Sequence, residues 1–326
     1  MQSASILITW PDFDRDGTDT GRRLTDAGYG LRFAPKRAHR SPAEMIGLLD
    51  GVAAAIVSTD PFDEDVLRSA RRLRVIARVG VGTDSIDLEA AARRGVAVCT
   101  TPGANASSTA DHTLALMLAA VRRIPEYDRA VRDGGWPRTG EATPWELNRA
   151  TVGLVGYGAI GRLVRRRLSG FRARVLVFDP QAGVERGVEL IDLPELLRAS
   201  DVVSLHAPLT PETEHLIDRD RLALMRAGAV LVNTARGRLV DEAALIDALE
   251  HGRLRAAALD VFELEPPDRS RLLALPNVVL TSHVGGVSER SVREMTRRAT
   301  DAVLDVLAGR APSGLVDRHA MRAESA

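Results

Sequence analysis

Short apolar runs rich in Val, Ile, Leu and Ala recur along the chain and alternate with amphipathic segments of helical spacing. In the first third the runs at 5–10, 53–57, 74–79 and 96–100 predict strands, and 17–27, 66–71 and 88–94 predict helices. Strand and helix in alternation imply a parallel sheet covered on both faces. A punctuated turn at 101–105 then leads into an apolar helix over 109–121. Pro125, Gly134, Gly135 and Pro137 mark an irregular connection around Trp136. A second series begins at Thr151, with strands expected at 152–155, 175–178, 188–191, 202–206, 229–233, 256–261 and 278–282. Helices are expected at 160–168, 192–199, 218–226 and 241–251, and a long one at 288–307 ends before Gly309. Two series, each with its own sheet, predict two α/β domains of Rossmann-like or flavodoxin-like type with a cleft between them. The first domain is expected to be discontinuous, 1–101 plus 287–326, and the second to run over 102–286.

The second series opens on Thr151-Val-Gly-Leu-Val-Gly156-Tyr-Gly158-Ala-Ile-Gly161. A strand runs into Gly156, the chain turns, and a helix begins. About 18 residues past Gly161 another apolar run ends in Asp179. This is the layout of a dinucleotide site. Gly156 allows the tight turn, Gly158 lets backbone approach a pyrophosphate, and Gly161 allows close packing of helix on strand. The helix N-terminus offers free N–H groups to the phosphates. Asp179 would accept from a ribose 2′-OH and repel a 2′-phosphate, which favours NAD over NADP.

Composition narrows the class. The 326 residues suffice for two domains, and with aromatics at only 4% the core must be aliphatic. Acids and bases balance at 44 each, so no global charge draws the chain to nucleic acid or a membrane. Lys36 is the only lysine. The lone Cys99 rules out an internal disulfide and argues against a zinc site built from thiolates, and its place in an apolar run predicts a buried thiol. With no signal peptide or bilayer-length apolar run, a cytoplasmic protein without a metal is expected.

Ligands of open parallel sheets bind beyond the carboxyl ends of strands. In the second series those ends carry Gly156, Asp179, His206, the segment 233–236, the segment 260–265 and His283. Arginine offers a planar fork to a carboxylate, histidine exchanges a proton, and a carboxylate beside the histidine stabilises its charged form. That set suits hydride transfer at a carbonyl next to a carboxylate. His112, on the apolar helix, is expected to be a satisfied core residue and His206 structural. His39, His215, His251 and His319 are expected at the surface, and the arginines of 162–167 on a solvated helix face.

Three blocks carry a resemblance: Asn233-Thr-Ala-Arg236-Gly-Arg-Leu-Val-Asp241-Glu242, Asp260-Val-Phe-Glu-Leu-Glu265-Pro266 and Ser282-His283-Val-Gly285-Gly286. Together with Leu205-His-Ala-Pro-Leu-Thr210 and Arg78-Val-Gly-Val-Gly82-Thr-Asp84, they resemble the D-isomer-specific 2-hydroxyacid dehydrogenases over nearly the whole chain. The resemblance implies Arg236 as the substrate-binding arginine, His283 as general acid/base and Glu265 as the group that orients it. It also implies substrate donors at Val81 and Gly82. Ala159 and Ile160 would lie under the pyrophosphate and Ala207 on the adenine side. Thr234, Ala235, Asp260, His283 and Gly285 would line the nicotinamide half. A homodimer built through the nucleotide domains, and closure on substrate, are further implications.

The implied reaction is NAD-dependent interconversion of a small 2-keto acid and a D-2-hydroxy acid, of the glyoxylate or hydroxypyruvate kind. Two alternatives stay open: a phosphoglycerate dehydrogenase of serine synthesis, and a non-catalytic NAD-responsive binding protein like the corepressors of this fold. Val57 stands where the phosphoglycerate enzymes carry a phosphate-binding arginine, and Asp60 is expected to add negative charge nearby, so an unphosphorylated acid is favoured. Asp111 stands where glutamate is usual. Glu265 in place of glutamine disfavours formate, and phosphite remains open.

Overall fold

The computed structural model describes residues 4–13, 19–35, 40–138, 143–183 and 185–316. The chain divides into two compact units, Met1–Asn105 with Val287–Ala326, and Ala106–Gly286. Gly17, Lys36, His39 and His319 lie outside the described residues.

The first unit begins β1 (Ser5–Ile8), α1 (Thr20–Asp26), β2 (Gly30–Phe33), α2 (Pro42–Leu48), β3 (Val52–Val57), α3 (Glu64–Ser69), β4 (Val75–Arg78), α4 (Leu88–Arg93) and β5 (Ala97–Cys99). Its strands are all parallel in the order β2-β1-β3-β4-β5, the flavodoxin-like winding. β3 is buried at every position, as expected of a strand covered on both faces. Cys99 ends β5 inside the core. Burial, helped by Asp305, pushes its thiol up to about 11, which makes it a structural group.

Two elements here lie outside the sequence expectations. β2 is a half-exposed edge strand without a clean alternation. α2 starts on a capping box, Ser41 with Glu44, and has Pro42 in its first turn.

The second unit runs α5 (Ala106–Val121), α6 (Ile124–Arg132), β6 (Thr151–Val155), α7 (Ala159–Leu168), β7 (Arg174–Phe178), β8 (Glu189–Leu190), α8 (Leu193–Ala199), β9 (Val202–Leu205), α9 (Arg219–Leu224), β10 (Ala229–Asn233), α10 (Glu242–Glu250), β11 (Leu254–Leu259) and β12 (Val278–Leu280). The parallel order is β12-β11-β10-β9-β6-β7-β8. The strand order therefore reverses between β6 and β9, the switch point beyond whose strand ends open α/β sheets bind their ligands. α6 occupies part of the stretch expected to be irregular. Pro125 sits in its first turn, where a missing N–H costs nothing, so the proline starts a helix instead of ending one.

The chain then returns to the first unit in α11 (Glu289–Leu307), capped by Ser288. Met295, Ala299, Ala302 and Val303 of α11 pack with Ile6, Ile8, Ile56, Val75 and Ala77 of the sheet. Asp60 corrects an expectation. It is fully buried, bonded to Arg40 Nη1 at 2.7 Å and to the Thr9 hydroxyl at 2.6 Å, so its charge is neutralised within the unit. Val57 is buried among Leu7, Ala55 and Phe62. Among the described residues no helix is long and apolar enough to cross a membrane, and no cluster of His, Cys, Asp and Glu could hold a metal.

Candidate active site

The glycine motif folds as a strand–turn–helix junction. Gly156 has φ +97°, and a Cβ there would lie 2.6 Å from the backbone of His206 and Ala207, so only glycine lets the ends of β6 and β9 approach. Gly158 caps α7 without a side-chain bond, and a Cβ on it would meet nothing within 4 Å. Gly158 and Ala159 are exposed and Ile160 half-buried. The first turn of α7 therefore offers uncapped N–H groups to open space, which fits the pyrophosphate of a dinucleotide. Asp179, half-buried at the end of β7, accepts from Tyr157 N at 2.6 Å through Oδ2 and from Gln181 N at 2.8 Å through Oδ1. Those bonds hold the carboxylate at the strand tip.

Further along the same edge, three neighbouring strands carry the other candidates. β10 ends in Asn233, whose side chain accepts from Ala235 N at 3.0 Å and donates to Arg236 O at 2.8 Å, fixing the turn that presents Arg236. A Cβ on Gly237 would lie 1.9 Å from the carbonyl carbon of Phe262, so the segments after β10 and β11 meet backbone to backbone. Glu265 follows β11 and accepts from His283 Nδ1 at 2.7 Å and from Phe262 N at 3.2 Å. His283 follows β12 and is exposed. Its φ of +56° is the left-handed conformation that non-glycine residues rarely adopt without reason. An ionised Glu265 accepts a proton bond, so Nδ1 carries the hydrogen and Nε2 is left to serve a substrate. Leu264 and Val284 beside the pair are exposed apolar side chains.

Asp260, at the end of β11, is the centre of this edge. Its carboxylate is buried and accepts from Thr281 Oγ1 at 2.5 Å, Val284 N at 2.9 Å and Gly285 N at 2.8 Å, while its carbonyl accepts from His283 N at 2.8 Å. The loop bearing His283 is thus tied to one carboxylate, whose place was expected to be along the nicotinamide. His112 joins it from α5, with Nε2 2.9 Å from Thr281 Oγ1 and 3.3 Å from Asp260 Oδ1. His112 is satisfied, as its apolar helix suggested, but by the loop of His283 and not by the core. No spacing signal relates residues this far apart in the chain.

The remaining candidates divide by unit. Thr234 is buried and shares a 2.8 Å hydroxyl contact with Thr113, and Ala235 and Ala207 are half-buried at the same edge. His206 lies 3.0 Å from Ser204 Oγ, and burial pulls its imidazole down to about 4, so it is neutral at pH 7. Val81 and Gly82 belong to the first unit, after β4. The loop there is pinned by Thr101 Oγ1, 3.0 Å from Gly80 N, and Val81 is exposed. His215 and His251 are exposed or nearly so. The arginines after the glycine motif do more than solvate a face. Arg162 stacks 4.6 Å over the Tyr157 ring and Arg167 pairs with Asp111 at 2.6 Å.

The profile of the D-isomer specific 2-hydroxyacid dehydrogenase NAD-binding domain matches residues 114–285. The chain belongs to this family. It is 43% identical over 261 residues to a D-3-phosphoglycerate dehydrogenase of Mycobacterium tuberculosis, covering 79% of this chain and 49% of that protein. It therefore spans about half the length of that relative. A glyoxylate reductase of Korarchaeum cryptofilum is 41% identical over 278 residues, covering 82% of this chain and 84% of the reductase. A solved structure from Thermus thermophilus matches 96% of this chain and 100% of its own, with TM-score 0.87 and 40% identity. The family's NAD-binding domain is thus the one that carries the glycine motif, Asp179 and the Glu265–His283 pair.

Proposed function

We propose that this 2-hydroxyacid dehydrogenase interconverts a small, unphosphorylated 2-keto acid and its D-2-hydroxy acid with NAD(H). The observation that carries it is the 2.7 Å bond between Glu265 and His283 Nδ1, on a histidine held in the left-handed conformation at the strand edge that also bears Arg236. Bound NADH supplies the hydride. Arg236 holds the substrate carboxylate and stabilises charge developing on the carbonyl oxygen. His283 Nε2 delivers the proton to that oxygen, and Glu265 keeps the ring in the tautomer and orientation this requires. In the reverse direction His283 takes the hydroxyl proton. Gly158, Ala159 and Ile160 cradle the pyrophosphate. Asp179 receives the adenine ribose hydroxyl, and Ala207, Thr234, Ala235 and Gly285 line the rest of the cofactor path. Val81 and Gly82 supply backbone N–H groups to the substrate. The protein acts as a homodimer.

The unphosphorylated substrate rests on Val57, which is apolar and buried. Asp60 no longer supports it, because Arg40 neutralises that charge. A second reading, D-3-phosphoglycerate dehydrogenase, draws on the 43% identity to the mycobacterial protein of that name. The test is NADH consumption by the purified protein against glyoxylate, hydroxypyruvate and phosphohydroxypyruvate. Higher kcat/KM on an unphosphorylated acid is expected. Preference for phosphohydroxypyruvate overturns the substrate, and wild-type turnover by His283→Ala overturns the mechanism.

A further inference from the structure

The polar side chains of α5 point to a group that the proposed chemistry does not yet use. Thr281 Oγ1 lies 2.5 Å from Asp260 Oδ1, a contact that needs the hydroxyl proton between the two oxygens. With that single proton committed, Thr281 Oγ1 can only accept from His112 Nε2, 2.9 Å away. The 3.3 Å separation of Nε2 from Asp260 Oδ1 is attractive only if Nε2 carries hydrogen, so both contacts assign the same tautomer. A directed chain results: His112 donates to Thr281, Thr281 donates to Asp260, and the two oxygens of Asp260 accept from the consecutive Val284 N and Gly285 N of the loop. One helical turn before His112, Ser108 Oγ donates to Gly285 O at 2.9 Å, so the same stripe of α5 grips the loop twice. His283 stands within this loop, in a backbone conformation that only surrounding contacts can maintain.

We propose that His112 is a positioning residue for hydride transfer, acting through Thr281 and Asp260 to hold the loop that aims His283. The proposal rests on His283 being the acid/base. A histidine that merely filled space on α5 would affect stability without separating kcat from binding. One that aims the proton donor sets kcat, because displacement of a reacting group by an ångström or less costs orders of magnitude.

The test compares His112→Ala, His112→Gln and Thr281→Val with the wild type. Glutamine is the conservative variant, because its Nε2 can donate from near the place of the imidazole Nε2. The readouts are kcat and KM for the best 2-keto acid of the panel and the Kd of NADH by fluorescence. His112→Ala is expected to lower kcat about 10- to 100-fold. KM and the NADH Kd should stay within about threefold. Glutamine should restore most of the loss, and Thr281→Val combined with His112→Ala should lose little more than the worse single variant. Wild-type kcat in His112→Ala, no recovery with glutamine, or an equal loss of NADH affinity overturns the proposal. If His112→Ala does not fold, the glutamine and Thr281→Val variants decide it by the same criteria. His283→Ala is measured alongside. Wild-type turnover by that variant means the acid/base assignment has failed, whereas an inactive His283→Ala beside a fully active His112→Ala means that only the role of His112 has.

Discussion

Three histidines at this edge have the same chemistry and three different surroundings. His283 is exposed and paired with a carboxylate, His112 donates into a loop, and His206 is largely withdrawn from water beside Ser204. Burial holds the His206 imidazole down to about 4 in the folded protein, whereas an unfolded histidine protonates near 6.5. Between those values the unfolded chain binds a proton that the folded chain does not. Stability from this group is therefore full above about pH 6.5 and is lost as pH falls toward 4, on the order of 3 kcal/mol in total. Urea unfolding of wild type and His206→Gln at pH 7 and pH 4.5 checks this. The wild type should lose more stability on acidification, and equal losses would exclude His206 as the cause. The sequence made Arg236, Glu265 and His283 legible because they follow apolar runs in recognisable blocks. It left the partners of His112 hidden, because Thr281 is 169 residues away and only the folded sheet brings them together.

At the scale of elements, the buried parallel strands were readable as continuous β-branched and aliphatic runs, often to within a residue or two. Those missed have identifiable causes. β2 is an edge strand with no apolar face to announce it, α6 has no buried residue, and α2 begins on a proline that also marks turns. The segment before α2 matters energetically, because its Arg40 meets Asp60 from the end of β3 and Asp60 meets Thr9 from the end of β1. Asp60 is fully enclosed and the Arg40 side chain only 12% exposed, so neither charge is screened by water. Removing one partner leaves the other buried and unpaired. Asp60→Ala should therefore lower the unfolding free energy by about 3 kcal/mol or more. Arg40→Ala combined with Asp60→Ala should cost clearly less than the two separate losses added together. Additive losses in urea titrations would mean that the two groups are not coupled.

For the whole molecule, the balance of 44 acids and 44 bases leaves little net repulsion between copies at neutral pH. α6 gives association a physical motive. Ile124 and Val131 stand two turns apart, hence on one face, at 54% and 49% exposure, and Trp136 just beyond is 78% exposed. A helix of nine residues is marginal on propensity alone and gains its stability from a covered apolar face. Among the described residues α6 has several half-buried side chains but none that is fully buried, so a second copy is the cover proposed for it. Sedimentation equilibrium at micromolar concentration should then give twice the chain mass. Ile124→Asp with Val131→Asp should return the monomer mass and lower the melting temperature of the protein, because α6 loses its cover. The fold around β6 and α7 does not draw on that face, so NADH should still bind the monomeric variant. A monomeric wild type, or a dimer indifferent to both charges, would separate α6 from self-association and leave its apolar face for a different partner.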